Sequence, residues 1–253
     1  MQLNQVKALV TGGVSGLGLA TVKYILDNGG QAVMLDVNDE AGAAAEAETG
    51  ARYIMTDVTS EEKVIESVRQ ASGIMGGLNA AVNCAGIIGA GRVLGREAPM
   101  PLSLFSTTIN INLVGSFNVA KAAADRMQHN EPGEDGEKGV IINTASVAAY
   151  EGQIGQAAYS ASKAGLVGMT LPMARELSRF GIRVMTIAPG IFWTPMVDGM
   201  PEHIQESLSA SIPFPSRLGQ PEEFAELAGN ILKSSYMNGT TIRLDGAVRL
   251  AAK

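Results

Sequence analysis

Cysteine occurs once in the 253 residues, as Cys84, so no intramolecular disulfide can form and no cysteine-based zinc site has ligands to draw on. A reducing compartment suits that usage. Histidine is almost as scarce: His129 and His203 stand far apart without companions to share a metal, so both are read as surface or loop positions and no metal is expected. Basic residues are outnumbered, 19 Lys and Arg against 25 Asp and Glu, and the net charge of -6 with no long basic run argues against nucleic acid as the main partner. Nowhere does an apolar run approach the roughly 20 residues that span a bilayer. The opening MQLNQVKALVTGG enters a strand almost at once, without the charged segment and apolar stretch of a signal peptide. The expectation is a soluble chain, cytoplasmic, or in the mitochondrial matrix if its source is eukaryotic. Internal repeats and low-complexity segments are also missing.

What the chain does have is apolar residues at 46% and thirty glycines, the profile of a compact globule with many tight turns. Short apolar runs alternate with helical patterns. Strands are expected at Lys7–Thr11, Ala32–Leu35, Arg52–Met55, Asn79–Val82, Val140–Asn143, Arg183–Ala188 and Thr240–Leu244. Between them, helical patterns run over about Leu17–Asn28, residues 40–48, from near Ser60, over 102–127, from near Tyr159 and over Pro221–Lys233. Such alternation specifies an α/β fold, a single doubly wound Rossmann-type domain over residues 1–253 with a mostly parallel seven-stranded sheet. Residues 128–139 (QHNEPGEDGEKG) read as an exposed, mobile loop, and the Met-, Pro- and Leu-containing stretch around 191–217 as a substrate lid.

The first strand runs into T-G-x-x-x-G-x-G, with Gly12, Gly16 and Gly18 at the key places and Ser15 and Leu17 between them, and then into a helix. Glycine admits a diphosphate close to the backbone, and a helix N-terminus offers it free N–H groups and a positive dipole end. The second strand ends at Asp36, eighteen residues beyond Gly18. A carboxylate there can accept from both adenosine ribose hydroxyls and would repel a 2'-phosphate, and no Lys or Arg follows to receive one, so NAD is favoured over NADP. A plain helix-capping role suits Asn38 or Asp39 better, since they sit closer to the next helix.

Tyr159 and Lys163 are four apart on a helical pattern, on one face and in reach of one another. An ammonium beside a phenol favours the phenolate and lowers its pKa from about 10, which suggests a tyrosine tuned for proton transfer. Ser146, just past the fifth strand, is placed to hold a substrate oxygen against that phenol. A bare Y-x-x-x-K is most often only an amphipathic helix surface. Here the pattern is longer: Ser146 precedes Tyr159 by thirteen residues and S-A-S-K-A-G follows the tyrosine directly.

With NTASVAAYEGQIGQAAYSASKAG and IRVMTIAPG, the chain resembles the short-chain dehydrogenase/reductase family over nearly its whole length, and within it the type II 3-hydroxyacyl-CoA dehydrogenases. The resemblance implies that Asn112, Ser146, Tyr159 and Lys163 are catalytic. Tyr159 would be the general base, Lys163 would bind the nicotinamide ribose, and Asn112 would order a proton relay from a helix it kinks. It implies that Asp57 and Val58 hold the adenine. Cys84, Ala85 and Gly86 of N-C-A-G would lie along the cofactor, with Cys84 a small buried filler rather than a reactive thiol, and Pro189, Phe192 and Thr194 would lie at the nicotinamide end. Gln153 and Gln156 would lie near the hydroxyl-bearing end of the substrate. Trp193 stands where relatives often carry a small residue, and DGA closes the last strand where many have DGG. The implied reaction is NAD-dependent oxidation of a 3-hydroxyacyl-CoA to the 3-ketoacyl-CoA by a homotetramer. Oxidation of a steroid or other bulky secondary alcohol, and a non-catalytic NAD-binding scaffold, are the alternatives.

Overall fold

The structure, a computed structural model, describes residues 1–194, 197 and 202–252. Seven strands, β1 (Lys7–Thr11), β2 (Gln31–Asp36), β3 (Arg52–Met55), β4 (Ala80–Asn83), β5 (Gly139–Thr144), β6 (Ile182–Pro189) and β7 (Thr241–Leu244), form one sheet in the order β3-β2-β1-β4-β5-β6-β7. Every neighbouring pair is parallel, so the sheet is all-parallel rather than mostly so. The helices are α1 (Gly16–Asp27), α2 (Asp39–Thr49), α3 (Glu61–Met75), α4 (Leu102–Ile109), α5 (Ser116–Met127), α6 (Ala157–Leu177), α7 (Glu202–Ala210) and α8 (Pro221–Lys233). A parallel pair cannot close through a hairpin, and a helical crossover after most of the strands covers both sheet faces.

Alternate strand residues divide between two cores. Ala8, Val10, Met34, Val82, Ile142 and Ile187 pack with Val22 and Ile25 of α1 and Phe224, Ile231 and Leu232 of α8. Their neighbours Leu9, Val33, Leu35, Ala81, Ile141 and Val184 pack on the other face with Val64 and Val68 of α3 and Val119, Ala123 and Met127 of α5. Both faces being dry, the strands read as continuous apolar runs. Local signals set the helix starts: the side chains of Asn38 and Ser60 accept from Ala41 N and Lys63 N at α2 and α3. At α8, Pro221 follows a Gln220–Glu223 capping box.

Two expectations change. The long helix over 102–127 is interrupted by a π-helical turn, Asn110–Gly115, between α4 and α5. The polar loop 128–139 is not simply solvated. Glu137 and Arg183, each 7% exposed, form an ion pair at 2.7 Å, and Asn130 Nδ2 donates to Leu78 O and Lys138 O. A carboxylate whose partner lies 46 residues away in the chain gives no local sign of its burial. Of the expected lid, residues 195, 196 and 198–201 lie outside the described residues, and α7 occupies its centre. Among the described residues no helix is long and apolar enough to cross a membrane.

Candidate active site

The chain reverses its winding at β1, leaving through β2 and β3 on one side and returning to β4 on the other, and ligands of such sheets bind outside the strand carboxyl ends at that switch. A cleft of about 850 Å³ opens there. The residues that line it follow strand ends one after another: Gly12 after β1, Asp36 at the end of β2, Asp57 and Val58 after β3, Cys84, Ala85 and Gly86 after β4, Ser146 after β5, and Pro189, Phe192 and Thr194 at and after β6. Ser15, Gly16, Leu17, Gly18, Gln153, Gln156, Tyr159 and Lys163 complete the set expected from the sequence. Asn112 is not part of the lining and stands behind it, fully buried.

At the glycine end, steric room decides which residues are allowed. A Cβ on Gly12, whose φ is +61°, would come within 2.8 Å of Ala85 N, and one on Gly18 within 2.1 Å of Gly12 O. α1 starts at Gly16 behind an Ser15 N-cap whose side chain makes no capping bond, so its first N–H groups, which have no partner within the helix, open on the cleft. That is a seat for an anion. Asp36 Oδ1 accepts from Val37 N at 2.8 Å and Asn38 N at 3.1 Å, which fixes the carboxylate on the cleft wall, while the cap of α2 falls to Asn38. Asp57 is more committed: its Oδ1 accepts from both the N–H and the hydroxyl of Thr59.

At the other end the Ser146 hydroxyl, which accepts from Ala148 N at 3.1 Å, neighbours the Tyr159 phenol in the cleft wall. The Lys163 ammonium, 5% exposed, donates to Thr144 O at 2.7 Å and sits 5.7 Å from the centre of the Tyr159 ring. The helical spacing therefore does place amine and phenol together. The electrostatic expectation is corrected. Burial pushes the Tyr159 phenol above its usual value, with the neighbouring Ser146 hydroxyl working the other way. Burial also pulls the Lys163 ammonium down to about 8. Removing water from each group penalises its charged form, the phenolate of Tyr159 and the ammonium of Lys163 alike. Cys84 is pushed up to about 11 by burial, its sulfur accepting from Thr144 Oγ1, which fits an inert filler.

Behind the lysine, the Asn112 side chain donates to Ile87 O and Ser162 Oγ and accepts from Ile87 N, so its amide pins the loop after β4 to α6. A Cβ on Gly86 would meet Asn112 Oδ1 at 3.1 Å and Lys163 Nζ at 3.5 Å. Gln153 and Gln156 are partly spoken for: Gln153 Nε2 donates to Ala251 O and Gln156 Oε1 accepts from Gln153 N. Trp193 does not line the cleft but packs in an apolar cluster behind it. The sequence reading missed Val248, Arg249, Leu250 and Ala251, which do line it; their position after the last strand carried no motif to mark them.

A model of the family described as short chain dehydrogenase matches residues 6–205. The chain is 49% identical over 247 residues to the 3-hydroxyacyl-CoA dehydrogenase type-2 of Bos taurus and to that of Homo sapiens, covering 96% of this chain and 95% of each relative. A crystal structure of 3-hydroxyacyl-CoA dehydrogenase type-2 from Mycobacterium avium superposes with a TM-score of 0.95 at 43% identity, over 100% of this chain and 99% of that one.

Proposed function

The chain belongs to the short-chain dehydrogenase family and is an oxidoreductase, and from that premise we propose that it oxidises the secondary alcohol of a 3-hydroxyacyl-CoA to the 3-ketoacyl-CoA, with NAD. The observation that carries the reading is that Ser146, Tyr159 and Lys163 line the same cleft as the glycine turn, with the Lys163 amine 5.7 Å from the centre of the Tyr159 ring. Family members generally depend on NAD or NADP, and the residues present fit such a dinucleotide. Gly12, Ser15, Gly16, Leu17 and Gly18 would seat the diphosphate, Asp36 the adenosine ribose, Asp57 and Val58 the adenine, and Cys84, Ala85, Gly86, Lys163, Pro189, Phe192 and Thr194 the nicotinamide half. When bound, the dinucleotide supplies the acceptor for the hydride that leaves the carbinol carbon with its electron pair. Asp36 favours NAD because a 2'-phosphate would bring negative charge against a fixed carboxylate.

The protein's own part is proton handling and placement. Ser146 holds the substrate oxygen against Tyr159, whose phenolate takes the hydroxyl proton as the carbonyl forms. In the unliganded cleft the raised phenol pKa opposes this, so the base form grows as pH rises and oxidation quickens with it. Lys163 stands beside the phenol to pass the proton on toward solvent, and Asn112 fixes the loop and helix that flank the lysine.

Tyr159→Phe is expected to abolish NAD reduction with 3-hydroxybutyryl-CoA, a loss of about 10²–10⁴-fold or more, while NADH fluorescence titration still shows binding. A variant that keeps turning over removes the tyrosine from the mechanism. Oxidation of a steroid or other bulky secondary alcohol is favoured by the apolar side chains Ile191, Val197 and Leu208 in the cleft wall, and kcat/KM over hydroxyacyl-CoAs and steroid alcohols, each with NAD and NADP, separates the two readings. A scaffold that holds NAD without turnover has no use for the Ser146–Tyr159–Lys163 arrangement, and wild type inert toward every secondary alcohol would restore it.

A further inference from the structure

Residues 245–252, which follow β7, contain none of the groups expected to do chemistry, yet Val248, Arg249, Leu250 and Ala251 form part of the cleft wall. The segment is tied down at several points. Gln153 Nε2 donates to Ala251 O at 3.1 Å and Ile154 N donates to Ala252 O at 3.0 Å, both from the loop between β5 and α6 that leads to Tyr159. Arg243, at the end of β7, forks onto Glu151 of the same loop at 2.8 and 2.9 Å, and also donates to Asp245 at 2.7 Å and Val248 O at 3.2 Å.

The ties hold an apolar surface in place. Val248 and Leu250 pack with Ile191, Trp193, Val197, Leu208, Ile212 and Leu218 in a cluster separate from the two sheet cores. Ile191, Val197, Leu208, Val248 and Leu250 belong both to that cluster and to the cleft wall. Through Gln153 and Ile154 the wall is tied to the loop that leads from Ser146 to Tyr159 along the same cleft. For a substrate oxygen held by Ser146 and Tyr159, this surface is an apolar face of the same cleft on which the group attached to the carbinol carbon can lie. Trp193 packs against the same cluster without lining the cleft.

We propose that residues 248–251 form the wall that sets the acyl length the enzyme accepts, with Leu250 the specificity-determining side chain and Gln153 a positioning residue that latches the wall instead of binding substrate. The inference rests on the acyl-CoA reading above and deepens it. Leu250 acts by volume: a shorter side chain leaves room for further methylenes and a larger one removes it. Gln153 acts through the Ala251 carbonyl, so its loss loosens the wall without touching the proton path.

The test compares wild type with Leu250→Ala, Leu250→Phe, Gln153→Ala and Gln153→Glu, on 3-hydroxybutyryl-, 3-hydroxyoctanoyl- and 3-hydroxydodecanoyl-CoA and on a parallel series of alkan-2-ols. Leu250→Ala is expected to raise the ratio of octanoyl to butyryl kcat/KM by about tenfold, Leu250→Phe to lower it, and KM for NAD to stay unchanged in both. Gln153→Ala should flatten the length profile through KM, its effect growing from the butyryl to the dodecanoyl substrate. Gln153→Glu, which cannot donate when ionised, should match it. As a readout independent of turnover, saturated octanoyl-CoA should change the emission of Trp193, the single tryptophan of the chain, and do so at lower concentration in Leu250→Ala. A length profile unmoved by both Leu250 variants overturns the wall, and a kcat loss in Gln153→Ala that is equal at every length makes Gln153 a substrate ligand and overturns the latch. Should wild type oxidise the alkan-2-ols and no hydroxyacyl-CoA, the acyl-CoA reading falls, and the same variants then decide the wall on the alkanol series.

Discussion

At the scale of single residues, Lys163 shows what spacing can and cannot reveal. The four-residue interval puts its amine beside Tyr159, and that much was readable. Burial was not: Lys163 lies under strand ends contributed by distant segments, and its ammonium, donating to Thr144 O, is held with a pKa of about 8 against an ordinary 10.5. The unfolded chain keeps that proton up to about pH 10.5 while the folded chain gives it up near 8, so between these values the unfolded state binds more protons and folding gains stability as pH rises. Below pH 8 the penalty is present in full, on the order of 3 kcal/mol. Lys163→Met is expected to raise the unfolding free energy of the unliganded protein by about 1–2 kcal/mol at pH 7, the bond to Thr144 O being lost in exchange. Turnover should disappear in the same variant. Urea unfolding at a series of pH values checks both parts: the stability advantage of Lys163→Met over wild type should shrink as pH rises from 8 to 10.5, a difference in which the opposing contributions of the buried Cys84 thiol and Tyr159 phenol cancel. Such a trade of stability for function is common at sites that must keep a charge out of water.

At the scale of elements, the sequence marks strands and helix caps well because their causes are local, as with Asn38, Ser60 and Pro221 at the starts of α2, α3 and α8. Where the cause is tertiary the reading fell short. T-T-I-N-I-N signalled weak helix, and the structure resolves the weakness as a π turn that carries Asn112 inward, to Ile87 and Ser162, while Asn110 stays exposed. The turn exists to aim one side chain, and a propensity scale registers only its cost. Asn112→Ala leaves the N–H and carbonyl of Ile87 without their partner and is expected to cost about 2–3 kcal/mol in chemical denaturation. Its kcat should fall more than its KM for NAD rises, since the loop after β4 loses its tie to α6. A variant as stable as wild type would show that water replaces the amide without loss.

At the scale of the whole molecule, the winding of the sheet followed from the alternation of short apolar runs and helices, and the position of the cleft followed from the strand ends. The cleft's far wall did not, because Val248 to Ala251 are held there by contacts with segments distant in the chain, such as Gln153 to Ala251 and the packing of Leu250 near Ile191 and Leu208. Assembly is also a property at this scale. Leu102 at 77% exposure, Phe117 at 47% and Val114 at 46% lie along α4, the π turn and α5, and Leu171 at 43% lies on α6. Helical faces with that much uncovered apolar surface are suited to burial against other copies, and the expected outcome is a homotetramer in analytical ultracentrifugation, reduced to smaller species by Phe117→Glu or Leu171→Glu. A monomer sedimenting at all concentrations would rule that arrangement out.

The central place of β1 also bears on synthesis at the ribosome. Its first neighbour, β2, follows within a few turns of chain, but its second, β4, arrives only with Ala80–Asn83. Until then the nascent N-terminal third carries a bare rail of amides and carbonyls along what becomes the middle of the molecule, open to any other strand that meets it. A product stalled before Ala80 is thus adhesive on the edge that the finished enzyme hides most completely.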